Sequence, residues 1–300
     1  KLISFSRNCS EKKPVLYIAG DEYLFGIMDR IEELIPYYIM PVCYTNGDFK
    51  KYLNKEQFYR ICEQLKLSTP KTAFCRSGVD VDEIIKEFEF PIILKPIFSH
   101  AWKGTLKGRK VFAFNELRQL KSLLTRFKNR LDSLIIQEVI PGDDDSIHQL
   151  SVYIDKNGQP LEIMCSQKIR QHPTNFGIGS VIKTKWIDEL VDKGLRDLSL
   201  LDFKGICDIE YKFDNRYKNW RLIEVNPRVG MYFSLCEFAG INLIWNSYCD
   251  LIARSDLLEK SNLQRDGLSW QYLARDIPAI SKKTMNGTVT LGEFIDFLRL

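Results

Sequence analysis

The chain of 300 residues is 45% hydrophobic and 27% charged, with a formal net charge of +4 at pH 7. This composition is typical of a globular protein with ample chain to bury a core, and its interspersed basic and acidic residues argue against a nucleic-acid partner. No apolar run approaches the roughly 20 residues needed to cross a membrane, and the first residues are too polar for a signal peptide, so we expect a cytoplasmic protein without a membrane partner.

Residues 1–53 show a βα pattern. The continuous apolar run Pro14–Gly20 predicts a buried strand, residues 21–34 have apolar side chains at helical spacing, and Tyr37–Tyr44 predicts another strand. A doubly wound sheet needs more strands than these. We therefore interpret residues 1–53 as a partial α/β domain.

Residues 54–136 predict a compact α/β lobe. Asn54 is suited to cap an amphipathic helix, with apolar residues at i, i+3, i+4 and i+7. A strand near Thr72–Arg76, a helix opened by Asp80, the strand "FPIILKP" and a helix capped by Asn115 follow.

From residue 137 the pattern changes to antiparallel strands. Asn157-Gly158, between two strand-like runs, is the strongest short hairpin signal. A helix near Ile187–Leu201 precedes a second hairpin, "GICDIEYKFDNRYKNWRLIEVNP", and further helices follow it. The fold class is therefore α+β.

The second hairpin carries oxygen-bearing side chains on one face, because alternate residues of a strand share a face. A turn centred on Tyr217 places Glu210 opposite Glu224 and Asp208 opposite Asn226. Opposed carboxylates are destabilising on their own, and Mg²⁺ prefers such ligands. The alternative is a solvent-exposed polar face without a ligand.

Basic residues accompany this predicted metal site. Pro227 ends the strand, and Arg228 then places a fixed cation beside it, suited to phosphate oxygens. Lys95 ends an apolar strand, where it either binds a phosphate or extends into solvent. Lys168 and Arg170 share a strand face.

A nucleotide would need an unusual site, because the sequence has neither GxxxxGK[ST] nor GxGxxG. The segment "IIQEVIPGDDD" passes from an apolar strand through Gln137–Ile140 into an acidic turn. Such an edge can present main-chain donors and acceptors to a flat heterocycle. Alternatively, Asp143–Asp145 form only a solvated turn.

These motifs, in this order, resemble the ATP-grasp superfamily: "NKEQFYRICEQLKLSTP", "PIILKP", "IIQEVIPGDDD", "KIRQHPTNFGIGS" and "GICDIEYKFD…RLIEVNPR". The chain is most similar to the carbamoyl-phosphate-synthetase-like branch, especially to bacterial carboxylate–amine ligases of the D-aspartate ligase type. The resemblance implies an ATP-grasp fold of two α+β subdomains, residues 54–136 and 137–300. Residues 1–53 would be a partial α/β pre-ATP-grasp domain.

The resemblance also implies roles for the matching residues. Mg²⁺, with Mn²⁺ as an alternative, would be held by Glu210, Glu224 and Asn226, and Asp208 could replace Glu210. The residues that would bind ATP are Lys55, Lys95, Gln137, Glu138, Val139, Ile140 and Asp145. Among these, the lysines would meet phosphates, residues 138–140 the adenine and Asp145 the ribose. The transferring phosphoryl group or the substrate carboxylate would meet Arg228, Lys168 and Arg170.

The loop at residues 98–109 departs from the family pattern. Related proteins carry a glycine-rich lid there, whereas this loop has only Gly104 and Gly108, beside the bulky His100 and Trp102. The family's lid closure is therefore not implied for this chain.

The implied activity is that of an ATP-dependent carboxylate–amine ligase that forms an acyl phosphate and then an amide. The loop "RQHPTNFGIGS" would cover the acyl phosphate, with Gly177 and Gly179 permitting close backbone approach. Small-molecule carboxylate and amine substrates are the implied partners, and a homodimer is compatible with the sequence. The alternative is a non-catalytic, ATP-binding regulatory protein on the same scaffold.

Overall fold

The computed structural model describes residues 1–9, 12–76, 81–102, 105, 111–285, 287, 290 and 292. Its strands are β1 (Thr72–Phe74), β2 (Ile92–Pro96), β3 (Phe112–Phe114), β4 (Leu134–Glu138), β5 (Ile147–Ile154), β6 (Pro160–His172), β7 (Ile178–Thr184), β8 (Gly205–Asp214), β9 (Asn219–Asn226) and β10 (Ser269–Gln271). Its α-helices are Leu2–Asn8, Asp21–Ile27, Ile31–Leu34, Val42–Thr45, Phe49–Leu53, Lys55–Gln64, Val81–Ile85, Leu117–Arg126, Asp188–Leu200, Ser234–Phe238, Leu243–Leu251 and Leu273–Met285. None of the described helices is long and apolar enough to cross a membrane.

The smaller sheet has the strand order β1-β4-β2-β3, with antiparallel neighbours. Its central strands β2 and β4 are buried because their residues are apolar on both faces. The helix Leu117–Arg126 packs Leu120 and Leu124 into this core. The predicted cap at Asn115 is wrong, because the helix begins after Glu116, which makes no side-chain capping bond. The predicted helix start at Asp80 lies outside the described residues.

The larger sheet has the order β10-β7-β6-β5-β8-β9. The hairpin predicted at Asn157-Gly158 is confirmed, because β5 and β6 pair antiparallel on either side of it. Gly158 has φ +84°, a left-handed conformation that glycine adopts without strain. The helix Asp188–Leu200 buries Leu190 and Leu198 in the core that this sheet shares.

The strands β8 and β9 form the second predicted hairpin, with the turn centred between Arg216 and Tyr217 rather than on Tyr217, and the predicted pairing is confirmed beyond a bulge. Glu210 lies opposite Glu224, and Asp208 lies opposite Asn226. A register shift follows directly after Glu210, so the bulge begins beyond the paired carboxylates. The polar face therefore forms as the alternation of residues predicts.

Residues 12–53 differ from the prediction. The predicted strands Pro14–Gly20 and Tyr37–Tyr44 make a single parallel bridge, and the helix Val42–Thr45 replaces the end of the second. Pro41, which precedes that helix, has no N–H with which to continue the pairing. These two strands are therefore wrong as extended elements.

The N-terminal segment instead packs into the core of the larger sheet. Leu24, Tyr44 and Phe49 are fully buried in one cluster with Ile209 of β8 and Val225 of β9. A main-chain hydrogen bond of 2.9 Å from Cys43 to Lys204 joins the two parts. The segment is thus in direct contact with the strands that carry the polar face.

The helix Lys55–Gln64 begins as predicted. The side chain of Asn54 accepts a hydrogen bond of 3.1 Å from the main-chain N–H of Gln57, which satisfies one free donor of the first turn. Phe58, Tyr59 and Cys62 form its buried face. The cap fixes where Lys55, the first helical residue, is placed.

Candidate active site

A cavity of about 950 Å³ collects most of the predicted site residues. Its walls come from the N-terminal segment, the helix Lys55–Gln64 and strands of both sheets. The predicted residues that line it are Lys55, Lys95, Gln137, Glu138, Val139, Ile140, Lys168, Glu210, Glu224, Asn226 and Arg228. The two others, Arg170 and Asp145, are not among its lining residues.

Four oxygen-bearing side chains of β8 and β9 face this cavity. Asp208 and Glu210 are 4% and 8% exposed, and Glu224 and Asn226 are half-buried. The amide nitrogen of Asn226 donates to Glu224 Oε1 at 3.2 Å. Because Glu210 and Glu224 are direct cross-strand neighbours, their charges repel unless a cation compensates them.

Lys168 on β6 supplies such a cation from the chain itself. Its Nζ donates to Glu210 Oε2 at 2.6 Å, and its side chain is almost fully buried. Burial lowers the pKa of Lys168, but the attraction of Glu210, with Glu224 and Asp208, outweighs this effect and raises it above its usual value. Lys168 therefore remains a charged partner of the carboxylates.

Two further residues, Gln149 and Tyr232, hold these carboxylates and were not predicted from the sequence. Gln149 Nε2 donates to Asp208 Oδ2 at 3.3 Å and to Glu210 Oε2 at 3.2 Å. Tyr232 Oη donates to Asp208 Oδ1 at 2.6 Å. Burial raises the pKa of Asp208 to about 7, against the lowering effect of Tyr232. The alternation of Gln149 and Ser151 in an otherwise apolar strand was the signal that could have found this polar face.

Arg228 is held at the cavity by the N-terminal segment. Its Nε donates to the carboxylate of Asp21, and its Nη2 donates to Asn226 Oδ1 at 3.4 Å. Burial lowers the pKa of Arg228, but the pair with Asp21 outweighs burial and raises it. The preceding carbonyl, of Pro227, accepts a bond of 2.8 Å from Tyr44 Oη.

The predicted phosphate-binding lysines enter from the other side. Lys95 on β2 is 9% exposed, and its Nζ lies 5.8 Å from the ring centroid of Tyr59. Lys95 thus lies at the cavity wall rather than extending into solvent. Lys55 also lines the cavity, and its main-chain N–H donates to Ile97 at 3.3 Å.

The predicted hinge, Glu138–Ile140, borders the cavity together with Gln137, and part of its main chain is already paired. The N–H groups of Glu138 and Val139 donate to main-chain carbonyls at 3.0 and 3.3 Å. The Glu138 carboxylate accepts from the N–H of Lys71 at 2.8 Å and pairs with Arg216 at 2.8 Å. A heterocycle would therefore have to use other groups of this edge than these two N–H donors.

Asp145, the predicted ribose ligand, is exposed, and its carbonyl accepts from Gln167 at 2.7 Å. The buried carboxylate of this turn is that of Asp144. It accepts from Gln171 Nε2 at 2.7 Å and from the N–H of Asn175 at 3.3 Å. Asp144 thus fastens the loop after β6, which lines the cavity.

Arg170 has a different partner from Lys168. The register of β6 shifts between them, so the shared face expected from strict alternation is not observed. The Arg170 guanidinium makes bonds of 2.9 and 2.8 Å to the two oxygens of Asp276, a fully buried carboxylate. Arg170 therefore anchors the helix Leu273–Met285, and its predicted contact with a phosphoryl group stays a prediction.

Glycine is required in the loop after β6. A Cβ at Gly177 would lie 2.2 Å from His172 C and from Pro173 O, so the chain approaches itself too closely for any side chain there. At Gly179, the second residue of β7, a Cβ would meet only the end of a side chain, 2.6 Å from Ile182 Cδ1. Of the predicted lid, residues 103, 104 and 106–109 lie outside the described residues.

The donor chemistry of the polar face fits Mg²⁺, which takes oxygen ligands and keeps water and phosphate oxygens in its shell. Two carboxylates and an amide, Glu210, Glu224 and Asn226, line one wall, and the buried Gln149 Oε1 has no hydrogen-bond partner among the described residues. Among the residues that the structure describes, no group of three or more His, Cys, Asp or Glu side chains is arranged to hold a metal on its own. Phosphate oxygens would have to complete such a site.

Comparison with known sequences agrees with the resemblance. No family model matches the chain. It is 29% identical over 241 residues to the D-aspartate ligase of Enterococcus faecium, which covers 77% of this chain and 57% of the ligase. It is 23% identical to the arginine-specific large chain of carbamoyl phosphate synthase from Bacillus subtilis, over 62% of this chain and 18% of that protein. The chain thus spans less than two thirds of either relative.

Solved structures show the same fold. The N5-carboxyaminoimidazole ribonucleotide synthetase of Thermus thermophilus superposes with a TM-score of 0.62 at 14% identity, covering 81% of this chain and 62% of that one. Biotin carboxylase of Campylobacter jejuni, in a complex with β-γ-ATP, gives 0.61 at 13% identity, over 82% and 56%. The predicted ATP-grasp fold of the α+β class is confirmed by these likenesses.

Proposed function

We propose that this chain catalyses the ATP-dependent joining of a carboxylate and an amine through an acyl phosphate. One observation carries the proposal: the oxygen ligands of β8 and β9 share a single cavity with Lys95, Lys168 and Arg228. Phosphoryl transfer requires positioning and neutralisation of charge rather than a protein nucleophile. This arrangement supplies both.

The nucleotide would lie across the cavity from the small sheet to the large one. The hinge Glu138–Ile140 would receive the adenine, and Lys55 and Lys95 the phosphates. The exposed position of Asp145 gives little support to its ribose contact. Arg228 and Lys168, at the other wall, would face the γ-phosphate.

The metal ligands would be Glu210, Glu224 and Asn226. When bound there, Mg²⁺ would neutralise phosphate charge and orient the phosphate chain, and Mn²⁺ is the alternative ion. Asp208 could replace Glu210, but both its oxygens already accept hydrogen bonds, from Tyr232 and Gln149. We therefore favour Glu210.

The reaction balances without a covalent enzyme intermediate. A carboxylate oxygen of the acid attacks the γ-phosphorus, the bond to the β,γ-bridging oxygen breaks, and ADP leaves. The amine then attacks the acyl carbon, phosphate leaves with the former carboxylate oxygen, and the amine loses a proton. Arg228 and Lys168 would stabilise the charge on the transferring group.

The substrates are proposed from the relative's name alone. D-Aspartate is the first acid to test, because the chain is 29% identical to a D-aspartate ligase. A cytoplasmic enzyme, either monomeric or homodimeric, would suit such small-molecule substrates.

An isotope experiment tests the proposal. The protein is incubated with ATP, Mg²⁺, an acid labelled with ¹⁸O in its carboxylate, and hydroxylamine as a general amine. We expect a hydroxamate and one ¹⁸O atom in the released phosphate, because the carboxylate oxygen stays with phosphorus. Phosphate free of ¹⁸O would exclude an acyl phosphate. If the protein binds ATP but releases no phosphate in the presence of any acid tested, the non-catalytic alternative is favoured.

A matched pair of variants tests the assignment of the site. We expect Glu224→Gln to lower the rate of phosphate release at least about 100-fold, because it removes a charged ligand at the reacting phosphates. Glu237→Gln, on the exposed surface of the helix Ser234–Phe238, should keep the wild-type rate. Equal rates in Glu224→Gln and wild type would contradict the assignment.

A further inference from the structure

Arg275 is a cavity residue that the phosphoryl-transfer chemistry leaves unused. It lies in the first turn of the helix Leu273–Met285 and lines the same cavity as the predicted phosphate-binding residues. Its contacts are with a thioether and an aromatic ring: Nη1 lies 3.3 Å from the sulfur of Met231, and the guanidinium lies 5.2 Å from the ring centroid of Tyr272.

Other cationic groups of the cavity are paired with oxygens of the protein. Lys168 binds Glu210, Arg228 binds Asp21, and Lys212 donates to the carbonyl of Gly142 at 2.6 Å. For Arg275, no ion pair is found among the residues that the structure describes. Its five N–H donors are therefore largely available to a ligand.

The backbone that carries Arg275 is firmly held. The next residue, Asp276, is fully buried and accepts bonds from three strands: Arg170 of β6 at 2.9 and 2.8 Å, Ser180 of β7 at 2.8 Å, and Gln271 of β10 at 2.8 Å. The first turn of the helix is thus fixed to the sheet. A guanidinium that is positioned before the ligand arrives loses less entropy on binding.

The position of Arg275 relates it to the reacting centre. Its partner Met231 follows Arg228 by three residues, a stretch of at most about 11 Å of chain. Between them, Gly230 lines the cavity and has no room for a side chain, since a Cβ would lie 2.6 Å from Phe233 Cε1. One short segment thus has Arg228 at one end and Arg275 against the other.

We propose that Arg275 binds a second carboxylate of the acid substrate, one that does not react. The inference rests on the proposed function, in which the reacting carboxylate lies near Arg228 and the γ-phosphate. A guanidinium fork matches a planar carboxylate with two parallel hydrogen bonds. The site therefore selects acids that carry a second carboxylate over otherwise similar monocarboxylic acids.

The test compares matched acids in the hydroxamate assay, where hydroxylamine replaces the natural amine. D-Aspartate is matched with D-alanine and with β-alanine, each lacking one of its carboxylates, and succinate with propionate. We expect the wild-type kcat/KM to favour each dicarboxylic acid by roughly 10- to 100-fold, the usual effect of a hydrogen-bonded charge. Arg275→Gln should remove this preference and leave the monocarboxylic acids and the KM for ATP within about twofold.

The control is Arg254→Gln, because Arg254 is exposed and pairs only with the exposed Asp256 in the described structure. It should keep the preference. Equal losses for both acids of a pair in Arg275→Gln would overturn the proposal. The assay is repeated with an amine that carries a carboxylate in place of hydroxylamine. If Arg275→Gln lowers activity only with that amine, Arg275 contacts the amine, and the assignment to the acid is overturned.

A binding measurement distinguishes a protein without ligase activity from one without the proposed carboxylate subsite. If wild type turns over none of these acids, binding of D-aspartate and succinate is measured by calorimetry in the presence of ADP and Mg²⁺. If wild type binds these acids and Arg275→Gln binds them at least tenfold more weakly, the subsite is upheld without the ligase activity. Equal binding, or no binding to wild type, would overturn the subsite.

Discussion

Lys168 shows how a single side chain sets the charge of the site. Three carboxylates, Asp208, Glu210 and Glu224, face the cavity, and Lys168 is the buried ammonium that contacts one of them. A buried charge that loses its partner is strongly destabilising. The ligand-free protein therefore depends on this lysine more than on an ordinary surface cation.

We expect Lys168→Met to lower the free energy of unfolding by about 3–5 kcal/mol without ligand, because it leaves Glu210 uncompensated. Mg²⁺ at millimolar concentration should restore part of this loss if it binds the same carboxylates. Thermal unfolding with and without Mg²⁺ measures both effects. Lys193→Met is the control: it breaks a similar pair, with Asp197 at 3.0 Å, and Mg²⁺ should not rescue it. Rescue of both variants would show that the ion acts elsewhere.

A second residue-scale prediction concerns pH. His148 is buried against Trp220, and burial lowers its pKa from 6.5 to about 4. Between these values the unfolded chain binds the proton and the folded chain does not, so this contribution to stability falls as the pH falls. The loss amounts to about 3 kcal/mol between pH 7 and pH 4. His148→Phe should flatten the decline in that window, as measured by urea unfolding at several pH values; an unchanged slope would contradict the assignment.

Site residues that are close together in the sequence could be predicted from it. Glu224, Asn226 and Arg228 lie within five residues: strand alternation places the first two, and the end of the strand at Pro227 places the third. Gln149 and Tyr232 escaped prediction, because they reach Asp208 across 59 and 24 residues of chain. The alternation of Gln149 and Ser151 marks a polar face of β5, but it does not reveal that β8 is the partner strand.

At the scale of elements, the predicted pairing of Glu210 with Glu224 and of Asp208 with Asn226 is confirmed, but the turn alone does not fix it. Beside the turn Asp214 pairs with Asn219, and an extra residue of β9, Ile223, then restores the predicted pairing. This register keeps the apolar faces of both strands inward. The predicted strands of the N-terminal segment were wrong for a different reason. Their apolar composition reflects burial in a shared core, and Pro41 prevents further pairing.

The loop after β6 gives a prediction at this scale. We expect Gly177→Ala to lower turnover at least about tenfold, because the added Cβ overlaps backbone atoms of His172 and Pro173 and displaces the loop that lines the cavity. Gly26→Ala is the matched control, because nothing lies within 4 Å of its Cβ and its helix favours alanine. Steady-state kinetics and thermal unfolding of both variants check this. Wild-type turnover in Gly177→Ala would show that the loop adjusts freely.

At the scale of the whole molecule, the N-terminal segment and the larger sheet share one hydrophobic core. Tyr44, which is fully buried, reaches the carbonyl of Pro227 across 183 residues, and Asp21 binds Arg228. The division at residue 53 stays a prediction. The sequence indicated a separate domain because domain borders were inferred from element patterns, whereas the shared core depends on long-range packing.

We therefore expect Tyr44→Phe to destabilise the protein by about 1–3 kcal/mol, because it leaves the buried Pro227 carbonyl without its donor. The same change should lower kcat, since the freed segment carries Arg228. Denaturant unfolding and steady-state kinetics measure the two effects. Tyr217→Phe, at the exposed turn of the β8–β9 hairpin, should change neither. A kcat equal to wild type in Tyr44→Phe would separate stability from the placement of Arg228.

The ion pair between Glu138 and Arg216 fixes the β8–β9 hairpin to the edge where the base of the proposed nucleotide would bind. Arg216 lies at the turn of this hairpin and binds the hinge, while Glu210 and Glu224 lie further along the same two strands. The protein thereby fixes the distance between the proposed base-binding edge and the proposed metal ligands before any nucleotide binds. The site would therefore distinguish nucleotides by the length of their phosphate chain. A nucleoside diphosphate with its base at the hinge would not bring a phosphate into contact with Arg228.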